Sequence, residues 1–210
     1  RAARTAEAFW PGPLTMILKK KDVVPMETTG GLDAVAVRFP SHPVAQRLID
    51  AAGGFVAAPS ANTSGKPSPT SAGYVAEDMD GKIDMILDGG DVGIGLESTI
   101  VDLTEKEPMI LRPGYVTQEK LTEVLGRVAV DRTILDASSA VRPKAPGMKY
   151  RHYAPKGDLA IVEGEPEEVI RSINAFCEEA GKQGKRTGVI ATDETAHFYH
   201  ADSVKSVGSR

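Results

Sequence analysis

Hydrophobic and polar positions alternate along this chain in short runs, each punctuated by proline or glycine. Arg1–Phe9 reads as the later part of a helix, which Pro11 and Pro13 forbid from continuing. Leu14–Lys19 reads as a strand. In Ala34–Phe39 the alternation is regular: Val35, Val37 and Phe39 share one face, and Ala34, Ala36 and Arg38 the other. Two small side chains flanking an arginine leave room for a ligand; the same pattern also fits an edge strand whose arginine reaches water. Pro43 opens a helix carrying Val44, Leu48, Ile49 and Ala52, which Gly53-Gly54 closes. Phe55–Ala58 predicts a buried strand, broken at Pro59. A short helix is expected over Thr70–Met79 and a strand over Ile83–Leu87. Ser98–Leu103 and Pro108–Arg112 predict two adjacent strands joined by an acidic turn, and Thr117–Leu125 a helix that Gly126 stops.

The pattern changes over residues 137–157. Arg142, Lys144, Lys149, Arg151 and Lys156 occur with no acidic residue between them, and Pro143, Pro146 and Pro155 keep the stretch extended. Such a run is either a solvated linker or, with Tyr150, His152 and Tyr153 interleaved, a strap across a negatively charged ligand or RNA. Beyond it, Leu159–Val162 predicts a strand. A helix starting at Pro166 follows, with Val169, Ile173, Phe176, Cys177 and Ala180 on one face, and then a strand over Thr187–Ala191. This β-α-β order predicts a small α/β domain.

Composition narrows the class. At 41% hydrophobic and 26% charged residues, the chain has the make-up of a soluble globular protein, and 21 Gly and 14 Pro imply many turns. A net charge of −4 argues against wholesale nucleic-acid binding. Cys177 is the only cysteine and is expected to be a small core residue; no disulfide framework or thiolate metal site follows. No apolar run is long enough to span a bilayer, and a cytoplasmic location fits. The chain opens without Met, which leads to the expectation of a fragment at both ends.

The candidate chemistry lies in loops. Ser60, Asn62, Thr63 and Ser64 follow the apolar run at Phe55–Ala58 and offer neutral donors and acceptors with no titratable group among them. This composition suits holding a polar ligand, and it is equally that of an ordinary turn. Gly89, Gly90, Gly93 and Gly95 allow anion-binding nests or a plain hairpin, and their spacing matches neither the dinucleotide fingerprint nor the P-loop. Arg112, before Pro113-Gly114, either aims its fork at a phosphate or carboxylate or makes a surface ion pair. His42, His152, His197 and His200 show no ligand spacing, and no serine sits in a nucleophile elbow. The inventory favours binding an anionic substrate and stabilising charge that develops on it.

Trp10-Pro11-Gly12-Pro13-Leu14-Thr15, Val37-Arg38-Phe39-Pro40, Pro59-Ser60-Ala61-Asn62, Glu97-Ser98-Thr99-Ile100-Val101-Asp102 and Leu111-Arg112-Pro113-Gly114 resemble, in order and spacing, the motifs of the threonylcarbamoyl-adenylate synthases, the YrdC-like family. Ala145–Pro155 is similar to the linker of that family's longer, two-domain branch. The resemblance implies an α/β fold: a YrdC-like twisted mixed sheet with surrounding helices over residues 1–136, a linker over 137–157, and a truncated Rossmann-like α/β domain over 158–210. It implies a nucleotidyltransferase that makes threonylcarbamoyl-AMP and pyrophosphate from L-threonine, bicarbonate and ATP. The product serves tRNA threonylcarbamoyladenosine modification, with tRNA or tRNA-modification proteins as further partners and no membrane. Such chemistry needs positioning and charge neutralisation more than a protein nucleophile. By the same resemblance Arg38, Ala58 and Ser98 hold threonine. Ala34, Ser60, Asn62, Ser68, Thr99, Arg112, Tyr150, His152 and Tyr153 lie on the ATP side, either Tyr150 or Tyr153 making the contact. Mg2+ is held largely by the triphosphate, with no acidic residue of the chain as its ligand.

The family's basic Lys/Arg motif, which grips the phosphates, is not found among these residues, so weak ATP binding and no turnover are expected of them alone. Three other readings compete: an RNA-binding module for tRNA or double-stranded RNA, carbamoyl transfer within a hydrogenase-maturation protein, and a nucleotide-binding domain without turnover.

Overall fold

A computed structural model describes residues 1–131 and 157–209, which fall into two compact units. The first unit is built on a five-stranded mixed sheet. Its elements are α1 (Ala2–Phe9), β1 (Leu14–Lys19), β2 (Ala34–Arg38), α2 (Pro43–Ala51), α3 (Ala72–Met79), β3 (Thr99–Asp102), β4 (Met109–Arg112), α4 (Gln118–Leu125) and β5 (Ala129–Val130). Strand order is β2-β1-β3-β4-β5. β1 runs antiparallel to β2 and parallel to β3, β3 antiparallel to β4, and β4 parallel to β5.

Period-2 patterning decides which residues face which way. Leu14, Met16, Val101 and Ile110 point to one side of the sheet, where Val116, Leu121 and Val128 complete a buried cluster and Ala6, Phe9 and Trp10 pack against it. Burying each of these larger side chains stabilises the fold by about 1.5–3 kcal/mol. Ile17, Ile100 and Leu111 form a thinner cluster on the opposite face, bordered by Ala34 and Met109. The polar chemistry of the chain sits at one end of this second face.

Local chemistry explains the element ends. Alanine-rich α1 stops at Trp10, whose peptide bond to Pro11 is cis. Trp10 Nε1 donates to Leu14 O at 2.7 Å, and Gly12 N donates to Phe39 O at 2.8 Å, tying the entry of β1 to the exit of β2. Gly12 is buried there, and a Cβ on it would stand 2.5 Å from Phe9 O. Thr117 caps α4 at its start, and Gly126, at φ +78°, ends it.

Three expected strands are not strands. Phe55–Ala58, Ile83–Leu87 and Leu159–Val162 join no ladder; Phe55 is 89% exposed and Leu159 79%. An apolar run becomes a strand only where a neighbour accepts its hydrogen bonds, and none of the described residues does so. The glycine-rich stretch from Asp88 to Glu97 is likewise irregular rather than a hairpin.

The second unit holds α5 (Pro166–Lys182), β6 (Gly188–Ala191), α6 (Asp193–Ala196) and β7 (Ser203–Ser206). β6 and β7 pair in parallel, so β6-α6-β7 is a β-α-β unit of the expected α/β class. Asn174 on α5 clasps the loop before β7: its Nδ2 donates to Phe198 O at 2.9 Å, and its Oδ1 accepts from His200 N at 2.9 Å. Val189 and Tyr199 are buried, whereas no residue of α5 is. Cys177 is half-buried rather than part of a sealed core. No helix among the described residues is long and apolar enough to cross a membrane.

Candidate functional site

Arg38 ends β2, and register places it opposite Thr15 on β1. Thr15 in turn stands beside Ile100 of β3, which follows Ser98 and Thr99. The parity of the strands therefore sends Arg38, Thr15 and Ser98 to the same face. Thr15 Oγ1 and Ser98 Oγ lie 2.8 Å apart and share a hydrogen bond. Arg112, on the neighbouring β4, donates from Nε and Nη2 to Ser98 O at 3.0 and 2.9 Å, and from Nη2 to Ser98 Oγ at 3.1 Å. Its Nη1 lies 2.5 Å from Glu97 Oε2. Ser68 Oγ donates to Glu97 Oε1 at 2.8 Å and so brings the end of the polar loop to the same cluster.

The two arginines differ in kind. Arg112 is committed to protein acceptors. Arg38 is exposed, and among the described residues its guanidinium has no hydrogen-bond or ion-pair partner. Partial loss of solvent, together with the neighbouring Arg112 charge, lowers its proton affinity below the ordinary arginine value. It remains a cation, with its planar fork of donors open to an anion.

The other residues assigned from sequence are dispersed. Ala34 shares the Arg38 face at the far end of β2, opposite Lys19. Ala58 and Ser60 are exposed, and no hydrogen bond joins them to the arginine cluster. Asn62 braces its own loop, donating to Thr63 O and Lys66 O at 3.0 Å each, while its Oδ1 is buried without a partner. Thr99 is fully buried: its Oγ1 donates to Val116 O at 2.7 Å and accepts from Val116 N at 3.1 Å. Its side chain is a staple between β3 and the segment after β4. Tyr150, His152 and Tyr153, and the cations Arg142, Lys144, Lys149, Arg151 and Lys156 on which RNA binding would rest, lie outside the described residues.

Four positions had no role in the sequence reading. Thr15 and Glu97 stood inside recognised motifs but only their partners reveal what they do. Gly114 lets its turn lie flat on the backbone of Glu97 and Thr99. Asp78 on α3 carried no motif at all. Its carboxylate accepts from Thr63 N at 2.6 Å, from Thr63 Oγ1 at 2.9 Å and from Lys66 Nζ at 2.6 Å, clamping the loop from outside. The Lys66 ammonium, followed by the Thr63 donors, holds its pKa down to about 2 from an ordinary 3.8. A depressed carboxylate stabilises the fold above the ordinary value and loses that contribution as pH falls through the folded value. Acid titration from about pH 5 should therefore melt the loop progressively toward pH 2 in the parent chain, a loss that Asp78→Asn suffers already at neutral pH. Loop amide exchange with the same acid profile in both chains would refute the clamp.

Two concavities among the described residues lie elsewhere, around the start of α4 at Gln118, Glu119, Thr122 and Glu123 and beside Pro113 and Val130. The arginine cluster is instead an open sheet end. Chemically it offers one guanidinium without a partner among the described residues, a pair of linked hydroxyls and a second arginine paired with Glu97, a set of donors that can hold a carboxylate or phosphate.

Comparison with known proteins identifies the family. The family model Sua5/YciO/YrdC, described as telomere recombination, matches residues 1–114; that described as "Threonylcarbamoyl-AMP synthase, C-terminal domain" matches residues 116–210. The chain is 48% identical over 209 residues to the threonylcarbamoyl-AMP synthase of Pyrococcus abyssi, covering 98% of this chain and 61% of that protein. It is 47% identical over 211 residues to that of Bacillus subtilis, covering 100% and 59%. The crystal structure of P. abyssi Sua5 complexed with L-threonine superposes with a TM-score of 0.89 at 47% identity, over all of this chain and 60% of that one. The chain thus spans about six-tenths of the length of the curated relatives it matches. With motifs, mixed sheet and both family matches in agreement, the chain belongs to the Sua5/YciO/YrdC family.

Proposed function

We propose that this chain carries the substrate-binding face of an L-threonylcarbamoyladenylate synthase, which converts L-threonine, bicarbonate and ATP into threonylcarbamoyl-AMP and pyrophosphate for tRNA modification. The observation that carries this reading is the open guanidinium of Arg38, set on the same sheet face as the Thr15–Ser98 hydroxyl pair. A fork of fixed donors matches an amino-acid carboxylate, and the adjoining hydroxyls suit the remaining polar groups of threonine. Names agree with it: the P. abyssi and B. subtilis relatives are called threonylcarbamoyl-AMP synthases, and the P. abyssi structure contains L-threonine.

In this reading Arg38 holds the carboxylate, with Ala58 and Ser98 beside it. Arg112 and Ser68, reached through Glu97, form the nucleotide side, joined by Ala34, Ser60 and the residues of the 137–157 linker. The carbamate formed from threonine and bicarbonate attacks the α-phosphate of ATP. Fixed cations then stabilise the charge that develops there, and no side chain needs to act as a nucleophile. Magnesium belongs to this scheme as part of the ATP substrate. Triphosphate oxygens are the hard ligands Mg2+ prefers.

The test is pyrophosphate release by the protein carrying this chain, with threonylcarbamoyl-AMP identified by mass spectrometry. Release should require threonine, bicarbonate and ATP together. ATP hydrolysis indifferent to threonine would disprove the reading.

A further inference from the structure

We propose that Glu97 is the positioning residue of the nucleotide side, an inference that rests on the reading above and deepens it. Its carboxylate joins two side chains that arrive from separate parts of the chain. Oε2 lies 2.5 Å from Arg112 Nη1 at the end of β4, and Oε1 accepts from Ser68 Oγ at 2.8 Å. Without Glu97 the guanidinium keeps its bonds to Ser98 O and Oγ, but its third nitrogen loses its anchor. Ser68 loses its hydrogen bond to the Glu97 carboxylate.

The Glu97 side chain is 27% exposed and that of Arg112 35%, so the pair is partly buried and also contributes to stability. Electrostatics is a poor explanation of the arrangement, because a carboxylate next to a polyanion site repels the ligand. What the geometry does provide is direction: one acidic fork sets the plane of an arginine and the orientation of a hydroxyl at once.

Position and charge predict opposite signs, so two substitutions separate them. Glu97→Gln keeps an acceptor oxygen at the same reach and removes the repelling charge. Glu97→Ala removes both. Steady-state kinetics and equilibrium titration of Mg–ATP should show Glu97→Gln within about threefold of the parent. Glu97→Ala should raise the KM for ATP and weaken its binding by about tenfold or more, with kcat changed less. Threonine affinity, set mainly by Arg38, should fall less than ATP affinity in both variants.

Tighter or unchanged ATP binding in Glu97→Ala overturns the proposal, and so does an equal loss of threonine affinity. A tenfold loss in Glu97→Gln as well would mean that an acceptor oxygen at this reach does not suffice, and overturns it too. The parent protein keeps the two claims apart. If it binds Mg–ATP but shows no threonine-dependent pyrophosphate release, the synthase reading fails while the binding comparison still decides the role of Glu97. A folded parent that binds no ATP sinks both.

Discussion

Arg38→Ala should weaken L-threonine binding by roughly 10- to 150-fold while leaving the melting temperature essentially unchanged. The separation of the two readouts follows from the position of the side chain. Arg38 is exposed and has no hydrogen-bond or ion-pair partner among the described residues, and Arg112 repels its charge. Removing it takes away no hydrogen bond or ion pair among the described residues, so the stability change should stay within about 0.5 kcal/mol. A charged hydrogen bond to a carboxylate, by contrast, is worth about 1.5–3 kcal/mol. Arg38→Lys should recover only part of the affinity, because an ammonium supplies the charge without the fork. Added salt should weaken threonine binding in the parent chain, since the site is an open sheet end. Calorimetric titration checks all three chains. Unchanged threonine affinity in Arg38→Ala would place the carboxylate elsewhere and remove the main support for the proposed function.

Gly114→Ala is expected to do the reverse, lowering stability and both ligand affinities together. A Cβ at this position would stand 2.4 Å from Glu97 O, 2.7 Å from Thr99 N and 2.9 Å from Thr99 Oγ1. The first two are backbone atoms, and neither can swing aside. Thr99 N donates to Pro13 O at 3.1 Å, and its hydroxyl is bonded in both directions to Val116. Moving the turn away from β3 therefore breaks the staple, and moving β3 breaks its hold on β1. Overpacking of this kind costs about 2–3 kcal/mol, or roughly 5–10 °C in a chain of this size. Ser98 and Arg112 flank the clash, so their mutual bonds should loosen and the threonine and ATP sites fail with them. Thermal melting and ligand titration on one preparation read both effects. A variant with parental melting temperature and affinities would show that the close approach is not required.

Much of the fold was legible because its signals are local. Regular alternation marked β2 and even separated the Arg38 face from the Val37 face. Proline at position 43 and glycine at 126 marked the ends of α2 and α4 through their own backbone geometry. The runs at 55–58, 83–87 and 159–162 misled for the complementary reason. Hydrophobicity shows that a segment prefers burial, but a strand also needs a partner ladder, and that partner is remote in sequence.

The site divides along the same line. Residue types alone pointed to arginines and hydroxyls as the candidate groups for an anionic ligand, and the motif order placed the chain in its family. These conclusions depend only on side-chain chemistry and spacing. Only the tertiary structure decided that Arg38 is the open fork and Arg112 the anchored one, that Thr99 is a buried staple, and that Glu97 and Asp78 organise loops from a distance. Which donors remain free depends on which acceptors fold against them. Glu97 lies 29 residues from Ser68, and Thr15 lies 83 from Ser98. No local pattern encodes such distances, since sheet register and turn packing bring these groups together only once the chain has folded.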